Sequence, residues 1–320
     1  MSQQAPSRES SISGSSVRRG DQIFRGITVG SGVTILVVMG AIAGFLLWKA
    51  LPSFSNNSAN FLTEKVWFPD QNPSKFGIAA LAFGTVVAAL FAMLIAVPVG
   101  IGTSLFISFY APRRLAGAMA FLIDLLAAVP SIIFGLWGLQ VLMPHMGGIA
   151  KWLSDYLGVI PIFKNDQELY TKSLFIAGVV LAIMVLPTIS AISREVFKQV
   201  PRSHLEASLA LGATRWEMIR MAVLPFGRAG VISAAMLGLG RALGETIAVA
   251  VILSALFDVN IHITEPGGNT FAANIALKWN EAGPNGLSAL IASGLVLFII
   301  TLSVNAVARS IIARRKEFTE

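Results

Sequence analysis

Six apolar stretches govern what this chain can fold into. They lie near 27–48, 78–108, 115–143, 174–193, 229–256 and 287–308. A helix needs about 20 apolar residues to cross the hydrocarbon of a bilayer, and all six reach that length. Inside a bilayer every backbone amide and carbonyl must be paired within the protein, which restricts a spanning segment to a helix or a closed barrel. Runs this long and this apolar fit helices. The expected fold is therefore all-α, a polytopic membrane protein with six transmembrane helices. Of its 320 residues 55% are hydrophobic and only 13% charged, against about 25% charged in soluble domains. No large soluble domain fits beside the spans.

What remains is short. Residues 1–26 are Ser-rich and polar and lack the apolar core of a signal peptide; they predict a disordered cytoplasmic tail. Residues 27–308 hold the six helices, with a polar loop at 194–228, and 309–320 form a basic tail. There is no cysteine, so thiolate chemistry and disulfides are excluded. His145, His204 and His262 are scattered and form no metal-ligand spacing. No phosphate-binding GxxxxGK[ST] loop occurs, so ATP is not expected to bind through one here. No cofactor or metal is expected.

The net charge is +7, but its placement points to a membrane and not to nucleic acid. With the N-terminus cytoplasmic, sixteen of the 24 lysines and arginines fall on that side and seven on the other, with Arg241 inside a span. Positive loops stay inside. This predicts a multi-pass protein of a bacterial cytoplasmic membrane with both termini and the 194–228 loop in the cytoplasm.

That loop carries two capping-box patterns, Ser203 with Glu206 and Thr214 with Glu217. Gly212 between them suits a helix end that needs positive φ. Pro225 removes an amide donor and is expected to interrupt or restart the helix. The pattern predicts two short helices, Leu205–Leu211 and Arg215–Val223, joined by a glycine turn.

Immediately after, Gly238–Val249 places Arg241 and Glu245 in an apolar run. Charges at membrane depth are costly and mark functional sites. Asp124 lies in the third stretch. Counted along their helices from the same side, Asp124 and Arg241 sit about 15 and 18 Å deep, so the two are expected to meet. Glu245, one turn beyond Arg241, is expected on the same helix face. A buried structural ion pair and an oxyanion site are compatible readings, and arginine suits planar oxyanion recognition. Elsewhere Gly40 and Gly44 form a GxxxG packing pair in the first stretch, and Trp67 and Phe68 are expected at the membrane interface. Two amphipathic surface helices are expected, one carrying Ile149, Trp152, Leu153, Tyr156 and Ile160, the other Phe271, Ile275 and Trp279.

The 203–225 segment resembles the EAA loop of ATP-binding cassette (ABC) importer permeases. Glu206, Ala207 and Ser208 stand for the Glu-Ala-Ala start, with Gly212 six residues after the Glu and Leu224 and Pro225 at the end. The family's third Ala is Ser208 here and its Ile is Ala222. With Phe76–Thr85, Ile95–Pro112 and Gly238–Val249, the loop resembles the PstC-type permease subunits of bacterial phosphate-specific ABC importers, over about residues 61–310.

The resemblance implies a type I ABC importer permease fold and no catalytic residues. It implies a PstA-type sister permease, two ATPase subunits and an external phosphate-binding protein as partners. Inorganic phosphate would be the substrate. Glu206, Ala207, Ser208, Gly212, Leu224 and Pro225 would couple to the ATPase, and Arg241, Glu245 and Asp124 would line the substrate path. The alternatives are a permease for sulfate or molybdate and a proton-coupled secondary transporter with Asp124 and Glu245 as relays. An intramembrane hydrolase finds no support, since neither a zinc motif nor a Ser/His pairing lies in the spans.

Overall fold

The computed structural model of the chain describes residues 19–316. Of the tail expected over 1–26, residues 1–18 lie outside the described residues, and helix α1 (Arg19–Asn56) takes up the rest. Residues up to Trp48 form one compact unit and those from Lys49 another. The GxxxG pair lies on α1 in the first unit.

In the second unit a hairpin pairs β1 (Trp67–Phe68) with β2 (Lys75–Phe76). Then come α2 (Ala79–Leu105), α3 (Arg113–Ala127), α4 (Ser131–Trp137) and α5 (Met143–Leu157). They are followed by α6 (Leu174–Lys198), α7 (Arg202–Ala210), α8 (Arg215–Met218), α9 (Leu224–Leu243), α10 (Ile247–Ile252), α11 (Phe271–Lys278) and α12 (Pro284–Lys316). Among the described residues six helices are long and apolar enough to cross a membrane. The fold is all-α but for the hairpin, as expected.

The core is the packing of α2 and α9 on α6. Ala88, Ala92 and Ala96 recur every fourth residue on α2 and are buried, and such small residues let helix backbones approach where no water drives association. On α9 the Cβ positions of Gly227, Gly230 and Gly238 would sit 3.1, 2.4 and 2.8 Å from Phe197, Val196 and Ile189 of α6. Their order along the two helices makes α9 antiparallel to α6.

Several boundaries differ from expectation. The third apolar stretch is not one helix. It breaks between Ala127 and Ser131, because Pro130 offers no amide and keeps Val129 out of the helical region. Its two halves still track α6: Asp124 of α3 reaches Arg194, and Gly138, in a π turn at Gly138–Leu142 after α4, packs on Val180. The fifth stretch divides at Gly244. The last helix runs through most of the expected basic tail, to Lys316.

The residues expected to form a separate surface helix at 149–160 are instead the end of the continuous helix Ser131–Leu157, one of the six candidate spans, which leaves Ile149, Trp152 and Tyr156 exposed and stops before Ile160. The helix at 271–279 is not a surface element at its start. Phe271 is fully buried against Trp67, Phe76, Ile78 and Leu81, and Thr85 Oγ1 accepts from its amide at 3.1 Å. Trp67 is buried in the same cluster, so only Phe68 of the hairpin aromatics is exposed.

Candidate functional site

The hairpin after α6 is built from local rules. Gly212 has φ +84°, and its amide reaches Leu209 O at 3.0 Å while Ala213 N reaches Ser208 O at 3.2 Å. This is a Schellman ending, which needs a left-handed residue that glycine adopts without cost. Thr214 then caps α8. Glu217 N donates to Thr214 Oγ1 at 3.3 Å, and Thr214 N donates to Glu217 Oε2 at 2.7 Å.

The other expected box is absent. Pro201 is the cap residue and the helix starts at Arg202, so Ser203 lies inside the first turn and Glu206 is beyond the free amides. The second helix does not end at Val223. A π turn at Ile219–Val223 carries α8 directly into α9, so residues 215–243 form one helix. Its extra residue per turn accommodates Pro225, whose missing amide falls in the first turn of α9.

Leu205 seats α7 on a cluster of Phe197, Val200, Met218, Ile219 and Val223, and Leu224 packs on it too. Glu206, Ala207, Gly212 and Pro225 are exposed, and Ser208 is half-buried with its hydroxyl donating to His204 O at 2.8 Å. The sequence reading missed Leu209, Leu211 and Trp216, which are 46, 89 and 57% exposed beside them. Apolar side chains gathered at one exposed place mark a contact surface.

The three charged residues expected to meet do not. Nη1 of Arg241 donates to Thr188 Oγ1 at 3.2 Å, and no carboxylate pairs with it among the described residues. Arg241, Thr188, Met236, Leu237, Gly240 and Asn305 line a cavity of about 380 Å³ between α6, α9 and α12. Glu245 is not on the helix face of Arg241, because α9 ends at Leu243 and Gly244 caps it. Oε1 of Glu245 instead accepts from Ala248 N at 3.2 Å, in the first turn of α10.

Asp124 pairs with Arg194, not Arg241. Nη2 of Arg194 lies 3.1 Å from both carboxylate oxygens. Arg194 is six residues from Thr188 on α6, about 9 Å along the axis, so the expected equal depth fails. The depth count assumed a helix running straight inward, whereas α3 lies against the end of α6. Arg194 falls just past the apolar stretch and reads as a loop cation. Its spacing held the signal: Ser190, Ser193, Arg194 and Phe197 lie at i, i+3, i+4 and i+7, one face of a helix, and all four are buried.

At the opposite end of α6, ligand atoms of Asp166, His262 and Glu265 lie within 4.8 Å of one another, although the histidines show no such spacing in sequence. Their carboxylates are already engaged. Glu265 accepts from Asp166 N at 2.9 Å and Gln167 Nε2 at 3.3 Å, and His262 Nδ1 is 3.3 Å away. Lys164 Nζ donates to Asp166 at 2.7 Å and holds its carboxyl below the usual range. The cluster ties two connecting segments together.

Residues 96–317 match the family described as "Binding-protein-dependent transport system inner membrane component". The chain is 46% identical over 298 residues to the phosphate transport system permease protein PstC 2 of Mycobacterium tuberculosis, covering 92% of each. It is 45% identical over 300 residues to PstC of Mycobacterium leprae, covering 92% of this chain and 93% of that protein. With PstC of Xylella fastidiosa it shares 41% over 305 residues, 93% of each. A solved structure of the MetNI methionine ABC transporter is similar over 73% of this chain and 94% of its own at 18% identity, with a TM-score of 0.47. The chain belongs to the family of binding-protein-dependent transport system inner membrane components, as a multi-pass ABC transporter permease subunit of the PstC type.

Proposed function

We propose that this subunit passes inorganic phosphate across the bacterial cytoplasmic membrane, driven by ATP hydrolysis on a separate subunit. The observation that carries the reading is Arg241: an arginine within a membrane helix, beside a cavity, with a hydroxyl and, among the described residues, no carboxylate as its partner. A guanidinium at membrane depth must be paired or solvated, and a planar fork of donors suits a phosphate oxyanion. Thr188 and Asn305 add polar groups on the same cavity. The names of the relatives point to the same anion.

In this reading phosphate arrives from an external phosphate-binding protein. The path is shared with a PstA-type sister permease, and two ATPase subunits sit in the cytoplasm under both termini and the 194–228 loop. The exposed strip of Glu206, Ala207, Leu209, Leu211, Gly212 and Trp216, with Ser208 beneath it and Leu224 and Pro225 at its root, meets the ATPase. Glu245 and Asp124 act as neighbours of the path, through the start of α10 and the end of α6. Sites of this kind must bind firmly enough to admit the anion and weakly enough to release it.

A proton-coupled transporter would need its carboxylates free to exchange protons along a path. Here Asp124 is held by Arg194 and Glu245 by a backbone amide, at separate places. The test is uptake of labelled phosphate into cells lacking other phosphate systems, with sulfate and molybdate as competitors. Phosphate uptake that stops on ATP depletion while the proton gradient stands supports the proposal. Uptake that follows the gradient instead, or is abolished by sulfate or molybdate at equal concentration, refutes it.

A further inference from the structure

A second basic cavity lies at the α7 end of α6, about 9 Å along that helix from the Arg241–Thr188 contact. Arg194, Lys198, Arg202, Ser108 and Ala120 line it, and its volume is about 440 Å³. Arg194 is only 7% exposed. Of its three nitrogens, Nη2 serves Asp124 and lies 3.6 Å from Glu195. Nε and Nη1 have no partner among the described residues, and neither does the buried Oγ of Ser108 on the same cavity. Buried donors are rarely left so, and each such group calls for an explanation.

The charges around the cavity do not cancel. Three cations line it and, among the described residues, no carboxylate does: Asp124 and Glu195 sit behind Arg194, and Glu195 is shared between Lys198 at 2.8 Å and Arg194. Arg202 pairs with no carboxylate among the described residues. Arg194, Lys198 and Arg202 bring three cations to one cavity, which suits a tetrahedral oxyanion with several acceptor oxygens, and the Arg194 and Ser108 donors now closed off from it would reach such an anion by a change of rotamer. The flanking helix α3 exposes Phe121, Leu122 and Leu125, an apolar face where the cavity would meet lipid. Basic pockets between helices at a membrane edge take lipid headgroups.

We propose that this cavity is a second oxyanion site, separate from Arg241, that takes a phosphate group. The group is either free inorganic phosphate or the phosphodiester of an anionic lipid. The inference does not depend on phosphate being the transported substrate.

The test uses the whole complex in nanodiscs. In zwitterionic lipid, inorganic phosphate is titrated and the melting temperature followed. In parallel, nanodiscs containing phosphatidylglycerol are analysed by native mass spectrometry for retained lipid. Three backgrounds are compared: Arg241→Gln, which removes the proposed transport site, and that variant with either Arg194→Gln or the pair Lys198→Gln and Arg202→Gln. The side chains of the pair are exposed, so their loss leaves folding intact should Arg194→Gln fail to assemble. A saturable phosphate-induced rise in melting temperature, kept in Arg241→Gln and lost in the pair, assigns the site to the free anion. Bound phosphatidylglycerol, kept in Arg241→Gln and lost in the pair, assigns it to the headgroup. Absence of both signals from Arg241→Gln, or their persistence in the pair, overturns the proposal.

Discussion

Arg194 Nη2 stands 3.1 Å from both Oδ1 and Oδ2 of Asp124, and this contact ties the short helix α3 to the end of α6. The two partners are unequal: the arginine side chain is 9% exposed and the carboxylate 53%. The buried member depends on the pair more than the exposed one does. Removing the carboxylate strands a guanidinium that already has two nitrogens without a partner among the described residues. Asp124→Asn should therefore destabilise the subunit by about 1–3 kcal/mol, below the cost of breaking a fully buried pair because only the Arg194 side of the pair is buried. The melting temperature of the purified complex reads this. An unchanged value would mean that α3 is held by its apolar contacts alone.

Arg241→Gln should lower phosphate uptake roughly 10- to 100-fold, the value of a charge-assisted hydrogen bond to an anion. Arg241→Lys keeps the charge and loses the fork, so it should recover only part of the activity. The complex should assemble in both cases, as a pull-down of the partner subunits would report. Near-normal uptake by assembled Arg241→Gln would leave Arg241 a packing residue.

Thr188→Val keeps the shape of the side chain and removes the hydroxyl bonded to Arg241. Losing one hydrogen bond to a charged donor should cost uptake about 10-fold or more. Thr188→Ser should restore it. Equal activity of the Val and Ser variants would show that the contact does not orient the guanidinium.

Gly212 has open space around it but φ +84°. Gly212→Val should cost about 1–2 kcal/mol of local conformational energy, and Gly212→Asn less, since Asn tolerates this region. ATPase retention in a pull-down and uptake should fall together in the Val variant and hold in the Asn variant. If retention is normal in both, the turn is not part of the coupling surface.

The proposed orientation can be read with single cysteines, since the chain has none of its own. Gln71 and Ser203 are both exposed. A membrane-impermeant thiol reagent should label Gln71→Cys in intact cells and Ser203→Cys only after permeabilisation. The reverse pattern would turn the whole subunit over and place the 203–225 hairpin away from ATP.

Legibility in the sequence followed the range of the interactions. The spans are visible because apolar length alone decides membrane insertion. Gly212 and the Thr214–Glu217 box are visible because a turn and a cap involve only the next few residues. The false box at Ser203 shows the limit of that rule, since Pro201 set the helix start before Ser203 was reached. The partners of Arg241, Asp124 and Glu245 depend on how helices distant in sequence are tilted and where they break. Depth counted along an assumed straight helix could not see the breaks at Pro130 and Gly244. Arg194 was hidden for a simpler reason: a hydropathy boundary fell between it and the buried face to which it belongs.

The unbroken helix from Arg215 to Leu243 gives the subunit a mechanical lever. Its N-terminal end abuts the Gly212 turn, and Arg241 rides near the far end, roughly 39 Å away at 1.5 Å per residue. Over such an arm a tilt of about 5° displaces the tip by roughly 3 Å, close to the reach of a hydrogen bond. On the proposed reading such a swing would shift Gly238 on Ile189 along with Arg241 on Thr188, so a stroke delivered at the hairpin would slide the glycine-lined seam with α6 and part the hydrogen bond together.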